Sequence, residues 1–249
     1  MLITDSFYGV INIMFVFKKR NLIIATALFL TFITFVLCFS ALSKTEVIAA
    51  KSGVKIVLDA GHGGIDGGVK GINSGVPESE INLSVVKKLE NYLVSAGITV
   101  VLTRNSEAGL YGVASSTLKR RDMEKRKQII EKAAPTMVIS VHMNYYPNSS
   151  RRGGQVFFKD GDDKGEALAL SLQKGLNSLY KDVKDYPPLK GDYYLLNCTE
   201  YPSVIAECGF LSNPEDDALL TGEEFQNEVA YALFSGIIDY LTESSIAYF

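Results

Sequence analysis

Residues 54–59, Val-Lys-Ile-Val-Leu-Asp, form a short apolar run that stops at a cluster of glycines, Gly61, Gly63, Gly64, Gly67 and Gly68. So brief a run, closed by glycine, reads as a buried strand rather than a helix. The next segment has a different period. Between Pro77 and Ala96 the apolar residues Ile81, Val85, Val86, Leu89 and Leu93 fall on one helical stripe, with Pro77 suited to the start and Gly97 to the C-terminal cap. The alternation then repeats: a strand over Ile98–Thr103, a charged helix over Leu118–Ala134 ended by Pro135, and strands over Thr136–His142 and Gln155–Lys159. A helix over Glu166–Tyr180, a buried strand over Ser203–Cys208 and an amphipathic helix over Glu223–Leu241 complete the pattern. Strands separated by helices predict an α/β fold layered around a largely parallel sheet.

At 249 residues the chain is near the size at which one hydrophobic core stops growing, so one main domain is expected. A net charge of −3 supplies no basic stripe for phosphates, and nucleic acid is not expected as a partner. The basic pair Arg151–Arg152 reads as a solvated loop. The front of the chain is of another kind: Lys18, Lys19 and Arg20 precede Leu22–Leu42, which carries no charge. Its length matches the roughly 20 apolar residues that cross a bilayer, and exceeds the about 7–15 of a cleaved signal core. An uncleaved membrane anchor or signal sequence is therefore expected, with the basic flank in the cytoplasm and the rest outside it. Met14 makes a more ordinary start than Met1, and Cys38 lacks a lipoprotein box because Leu37 stands before it. The expected plan is a cytoplasmic segment at 1–20, the anchor at 21–42, a linker at 43–53, a catalytic domain at 54–243 and a tail at 244–249. Three cysteines make no disulfide framework, and Cys198 and Cys208 are either a pair or two buried thiols.

Only two histidines occur in the chain, and both fall where a strand ends: His62 beyond the first strand and His142 at the end of the third. Ligand-binding groups of open α/β sheets gather at such ends. Two imidazoles and one carboxylate, with a position left open, make a catalytic zinc site. Glu78 and Glu80, both in the first turn of the helix from Pro77, are the candidate third ligands, and spacing alone does not separate them. Glu207 interrupts the apolar run Val204–Phe210, where a carboxylate is costly unless paired, protonated or near a metal. It is read as a general base. The glycines lack the ending of a P-loop and the spacing of a dinucleotide fingerprint, and no His-Glu-x-x-His occurs. They let the backbone turn sharply beside an exposed His62.

Four segments, "IVLDAGHGGIDGG", "PESEINLSVVKKL", "VISVHMN" and "PSVIAECGFLSNPEDDALL", together resemble the zinc-dependent N-acetylmuramoyl-L-alanine amidases of the type-3 class, over Lys55 to Leu241. The resemblance implies a twisted, mostly parallel sheet of about six strands flanked by helices. It also implies that His62, Glu78 and His142 hold Zn2+ and that Glu207 is the catalytic glutamate. Glu78, Asn82 and Leu83 match the family's Glu-x-x-x-Asn-Leu pattern, which favours Glu78 over Glu80. Asn144 matches an asparagine expected to hold substrate or site geometry, and Arg126 an arginine expected to be structural. Ala60 replaces a common proline and Glu131 a usual asparagine. The implied substrate is peptidoglycan, cut between N-acetylmuramic acid and L-alanine, outside the cytoplasm. The compact plan resembles the germination-specific, sporulation-type members, which act on the spore cortex. With no appended wall-binding module evident after Leu241, a partner protein that presents or activates the domain is expected. The rivals are a zinc peptidase acting within stem peptides and a catalytically silent wall-binding scaffold. The pairs Tyr145–Tyr146 and Tyr193–Tyr194 are candidate sugar-stacking groups.

Overall fold

The computed structural model describes residues 21, 24, 26–36, 53–112 and 117–246. Two compact units are distinguished, residues 1–48 and 49–249. In the first, residues 26–36 are helical. No helix among the described residues is long and apolar enough to cross a membrane; the remainder of the expected span Leu22–Leu42 lies largely outside the described residues, as do Met14, the basic flank and Cys38.

The second unit is built on strands β1 (Lys55–Ala60), β2 (Thr99–Leu102), β3 (Met137–Asn144), β4 (Gln155–Phe158), β5 (Leu189–Lys190) and β6 (Ser203–Phe210). They form one six-stranded sheet in the order β2-β1-β3-β6-β4-β5. β2, β1, β3 and β6 are mutually parallel, while β4 pairs antiparallel to β6 and parallel to β5. The mostly parallel sheet flanked by helices is thus the architecture present.

The helices are α1 (Glu78–Ser95), α2 (Leu118–Ala133), α3 (Asp163–Leu179), α4 (Tyr194–Asn197), α5 (Pro214–Leu220) and α6 (Glu223–Ile246). Side chains alternate across a strand, so each strand feeds two layers. Ile56, Leu58 and Ala60 of β1, with Met137, Ile139, Val141 and Met143 of β3, join the large core that takes in α1, α3 and α6. Val57 and Val138 face the other way and meet Ile130 and Ala133 of α2 and Leu195 of α4 in a much smaller cluster. That second layer is thin. Further along the same face, β1 and β3 turn from Val57 and Val138 to Asp59, Ser140 and His142, and β6 presents Glu207 beside His142. The sheet therefore has an apolar floor under one layer and a polar opening beyond the other.

Three elements have no counterpart in the sequence reading: β5, α4 and α5. Two of them are four residues or fewer, too short to show a period. Arg151–Arg152 is also not a freely solvated loop. Arg152 ion-pairs with the fully buried Asp216, at 3.0 Å, and with Glu215, while the Arg151 guanidinium lies 3.8 Å from the Tyr186 ring centre. Cys198 and Cys208 are free thiols. Burial pushes the Cys208 thiol well up, which leaves it unreactive.

Candidate metal centre

β1 ends at Ala60, and the chain enters the glycine turn with His62 in the left-handed region, at φ 59°. A side chain there is strained and persists only when its surroundings over-determine it. Two buried guanidinium groups supply that constraint. Arg126 of α2 donates to the carbonyls of Ala60 (2.9 Å) and His62 (2.7 Å) and ion-pairs with Asp59 and Asp122. Arg104 donates to the carbonyls of Ala60 (2.8 Å), Gly61 (2.9 Å) and Ser79 (2.8 Å). Burial, reinforced by the neighbouring Arg126 charge, lowers Arg104 to about 10. It remains a cation at neutral pH.

Glu78 opens α1. The turn residues cap that helix from outside, because Glu78 N–H donates to the Val69 carbonyl (2.8 Å) and Ser79 N–H to that of Gly67 (3.1 Å). The two candidate glutamates separate cleanly: Glu78 is 2% exposed, while Glu80 faces solvent. Glu78 Oε1 lies 2.8 Å from His142 Nδ1 and Oε2 lies 3.2 Å from His62 Nε2. Three neutral donors also point at the carboxylate: Val69 N (3.1 Å), Asn82 Nδ2 (3.2 Å) and Met143 N (3.2 Å). Burial opposes ionisation of Glu78, but the hydrogen bonds from His142 and His62 override it and hold the carboxyl far below its usual range. Burial likewise pulls His62 down, and the hydrogen bonds with Glu78 and then Asp66 raise it to about 9.

The imidazole rings of His62 and His142 meet edge to face, 5.1 Å between centres. Donor atoms of His62, Glu78 and His142 all lie within 4.8 Å of one another. Ligands about 2.0–2.1 Å from a tetrahedral ion stand about 3.3 Å apart, close to the separations found here. Two neutral nitrogens and one preformed anion are the donor chemistry of a zinc site, so these residues fit the ion.

Glu207 pairs in register with His142 across β3 and β6, just before a β-bulge shifts the ladder by Asn144. Bulges re-aim side chains beside functional sites. The residue keeps some exposure to the cleft, yet its Oε2 is shielded from water and accepts no hydrogen bond. Burial, with the Glu78 charge adding to it against the pull of His142, raises Glu207 to about 7. Above the group lies a cleft of about 730 Å³, lined among others by His62, His142, Glu207, Tyr193 and Tyr194. Tyr193 and Tyr194 are thus cleft residues, whereas Tyr145 and Tyr146 are exposed outside its lining. The Asn144 side chain accepts from the backbone N–H of the next residue, Tyr145, at 2.8 Å. Arg126 is buried and structural in its contacts. The exposed Glu131 pairs with Lys127 far from the cluster. Asn82 and Asp66 contact the Glu78 and His62 side chains and Arg104 braces the turn between them; the sequence reading assigned none of the three a role at the site. Asn82 alone carried a signal, its place in the Glu-x-x-x-Asn-Leu pattern.

Known proteins resemble this chain over most of the second unit. A germination-specific N-acetylmuramoyl-L-alanine amidase from Bacillus subtilis is 33% identical over 196 residues, covering 77% of this chain and 81% of that protein. The CwlD amidase from Clostridioides difficile, solved in complex with the GerS lipoprotein, superposes with a TM-score of 0.72 at 34% identity, over 76% of this chain and 98% of that one. The amidase AmiC2 of Nostoc punctiforme superposes at 0.66 with 29% identity, over 77% and 98%. A family profile described as N-acetylmuramoyl-L-alanine amidase matches residues 56–239, and the chain belongs to that family of enzymes.

Proposed function

We propose that the protein hydrolyses the amide joining the lactyl group of N-acetylmuramic acid to L-alanine in peptidoglycan, at a zinc ion held by His62, Glu78 and His142. The observation that carries this reading is Glu207 Oε2, a buried carboxylate oxygen without a partner, on the face and at the register of His142. A fold tolerates such an atom mainly where a reaction or an ion uses it. Zinc in such a site supplies polarisation of the scissile carbonyl and acidifies a water molecule to a pKa near 7. Glu207, ionising near neutrality, takes the proton from the attacking water. It then returns that proton to the alanine nitrogen as the carbon–nitrogen bond breaks, leaving a carboxylate on the lactyl group and a free amine on the peptide. Tyr193 and Tyr194 offer aromatic surface beside this chemistry, and Asn144 lies at the edge of the strand that presents His142.

The germination-specific relative and the CwlD superposition support a role in the spore cortex, with action outside the cytoplasm. The complex in which the CwlD relative was solved supports a presenting or activating partner protein for this chain as well. Metal analysis of the protein beside His142→Ala, joined to mass spectrometry of digested spore peptidoglycan, tests the reading. Zinc bound only by the wild type and new L-alanine amino termini are the expected results. Cleavage inside the stem peptide would instead show a peptidase. Full metal loading and full activity of the purified protein alone would remove the partner.

A further inference from the structure

We propose that Asp66 is a positioning residue for the metal, acting through His62; the inference rests on the zinc site proposed above. An imidazole can serve a metal through either ring nitrogen and can flip about its bond to Cβ, so a ligand histidine needs something to choose its face and tautomer. At His62 that choice is built in. Asp66 Oδ2 lies 3.0 Å from Nδ1, which holds a proton on that nitrogen and keeps Nε2 on the Glu78 side, the nitrogen that becomes the ligand atom once its own proton leaves.

The carboxylate is itself held. The glycine turn folds back so that Gly63 N–H donates to the Asp66 carbonyl at 2.8 Å, and Asp66 Oδ1 accepts from Gly68 N–H at 3.2 Å. His62 and Asp66 stand four residues apart outside any helix, so the pairing depends on the left-handed conformations of His62, Gly64 and Gly68. The Asp66 side chain is 49% exposed, and its contact with His62 outweighs the burial that opposes its charge, so the carboxylate stays ionised behind the imidazole and makes it a stronger donor. Partners of this kind, hydrogen-bonded behind a ligand histidine, typically govern metal affinity by about 10–100-fold.

The test measures zinc dissociation constants by competition with a chromogenic chelator, using the full chain in detergent at one fixed pH. Asp66→Ala is expected to bind about 10–100-fold more weakly than the wild type. Asp66→Asn, which keeps an acceptor without the charge, should fall between them. In a His62→Ala background Asp66→Ala should change affinity less than about two-fold, since the residue then has nothing to orient. A residue that merely shapes the turn would act equally with and without His62. Equal affinity of Asp66→Ala and wild type, or a loss that persists in the His62→Ala background, overturns the proposal. A wild type that binds no zinc at all overturns the metal site itself and this inference with it, so the two failures are told apart. Melting temperatures of the metal-free variants confirm that each remains folded.

Discussion

Burial makes an ionised Glu207 a cost to the folded state. Its folded value, about 7, lies above the ordinary carboxyl value, so the native state retains a proton that the unfolded chain has released. Stability from that proton is fully present below the unfolded value and is lost as pH rises through about 7. Glu207→Gln has no such loss. Metal-free Glu207→Gln should therefore match the wild type near pH 4 and exceed it at pH 8 by about 3 kcal/mol, in urea unfolding curves taken at both pH values. Its amidase turnover should fall by about 10²–10⁴-fold. A stability gap independent of pH would mean that Glu207 is ionised even when the protein is free of metal. His62 makes a second prediction: held protonated to about 9 by Glu78 and Asp66, it must lose a proton before it can bind an ion. Zinc binding at pH 7.5 should release roughly one proton, read by calorimetry in buffers of different ionisation enthalpy, and affinity should weaken as pH falls. Much of this site could be read from residue types alone. Two histidines at strand ends and one acid inside an apolar run are conspicuous. Asp66 and Arg104 were not legible, because their contacts arise from a turn and from chain segments brought together only by the fold.

At the level of elements, the centre exists because the β1 turn, the start of α1 and the end of β3 converge. Gly61 sits against the face of the His142 ring, and a Cβ there would overlap the ring atoms. Its backbone angle is ordinary, so the requirement is for space alone. Gly61→Ala should push His142 away from Glu78 and weaken zinc binding by more than about ten-fold, at a stability cost of about 1–3 kcal/mol. Gly75→Ala is the control: its φ of 68° is left-handed, but no atom lies within 4 Å of the added carbon. That variant should keep its zinc affinity. The helix that looked like a charged surface element carries the second constraint. Arg126, 2% exposed, balances Asp59, whose carboxyl it holds below the usual range against the opposing effect of burial. Arg126→Met would strand that carboxylate and should destabilise the protein by about 3–5 kcal/mol in denaturant titration. Periodicity located α2 to within a residue but did not separate its buried arginine from its exposed charges, and only the resemblance marked Arg126 as structural. A buried arginine and an exposed one have the same sequence signature. The short α5 escaped notice for a related reason, since it is held by the Asn213 side chain and its first-turn acids rather than by an apolar stripe.

For the molecule as a whole, the decisive contrast is between the unit at 49–249, which closes a core of its own around both faces of one sheet, and the chain before it. The large cluster draws on β1, β3, β4 and β6 and on α1, α3 and α6, with its buried residues between Ile56 and Ile237 and partly buried ones from Val54 to Leu241. Among the described residues that cluster lies wholly within the unit at 49–249, so removing residues 1–53 is expected to leave the domain's stability unchanged. The truncated protein should unfold cooperatively, bind zinc with unchanged affinity and release the same muropeptides from isolated peptidoglycan. What it should lose is location. The uncharged run Leu22–Leu42, preceded by Lys18, Lys19 and Arg20, has the length and flank of an anchor. The full chain should therefore sediment with membranes and resist salt extraction, while the truncated chain stays in the supernatant. If both fractionate alike while remaining folded, the apolar run does not hold the mature protein at a membrane, and its place at the cell wall must come from a partner or from the substrate itself.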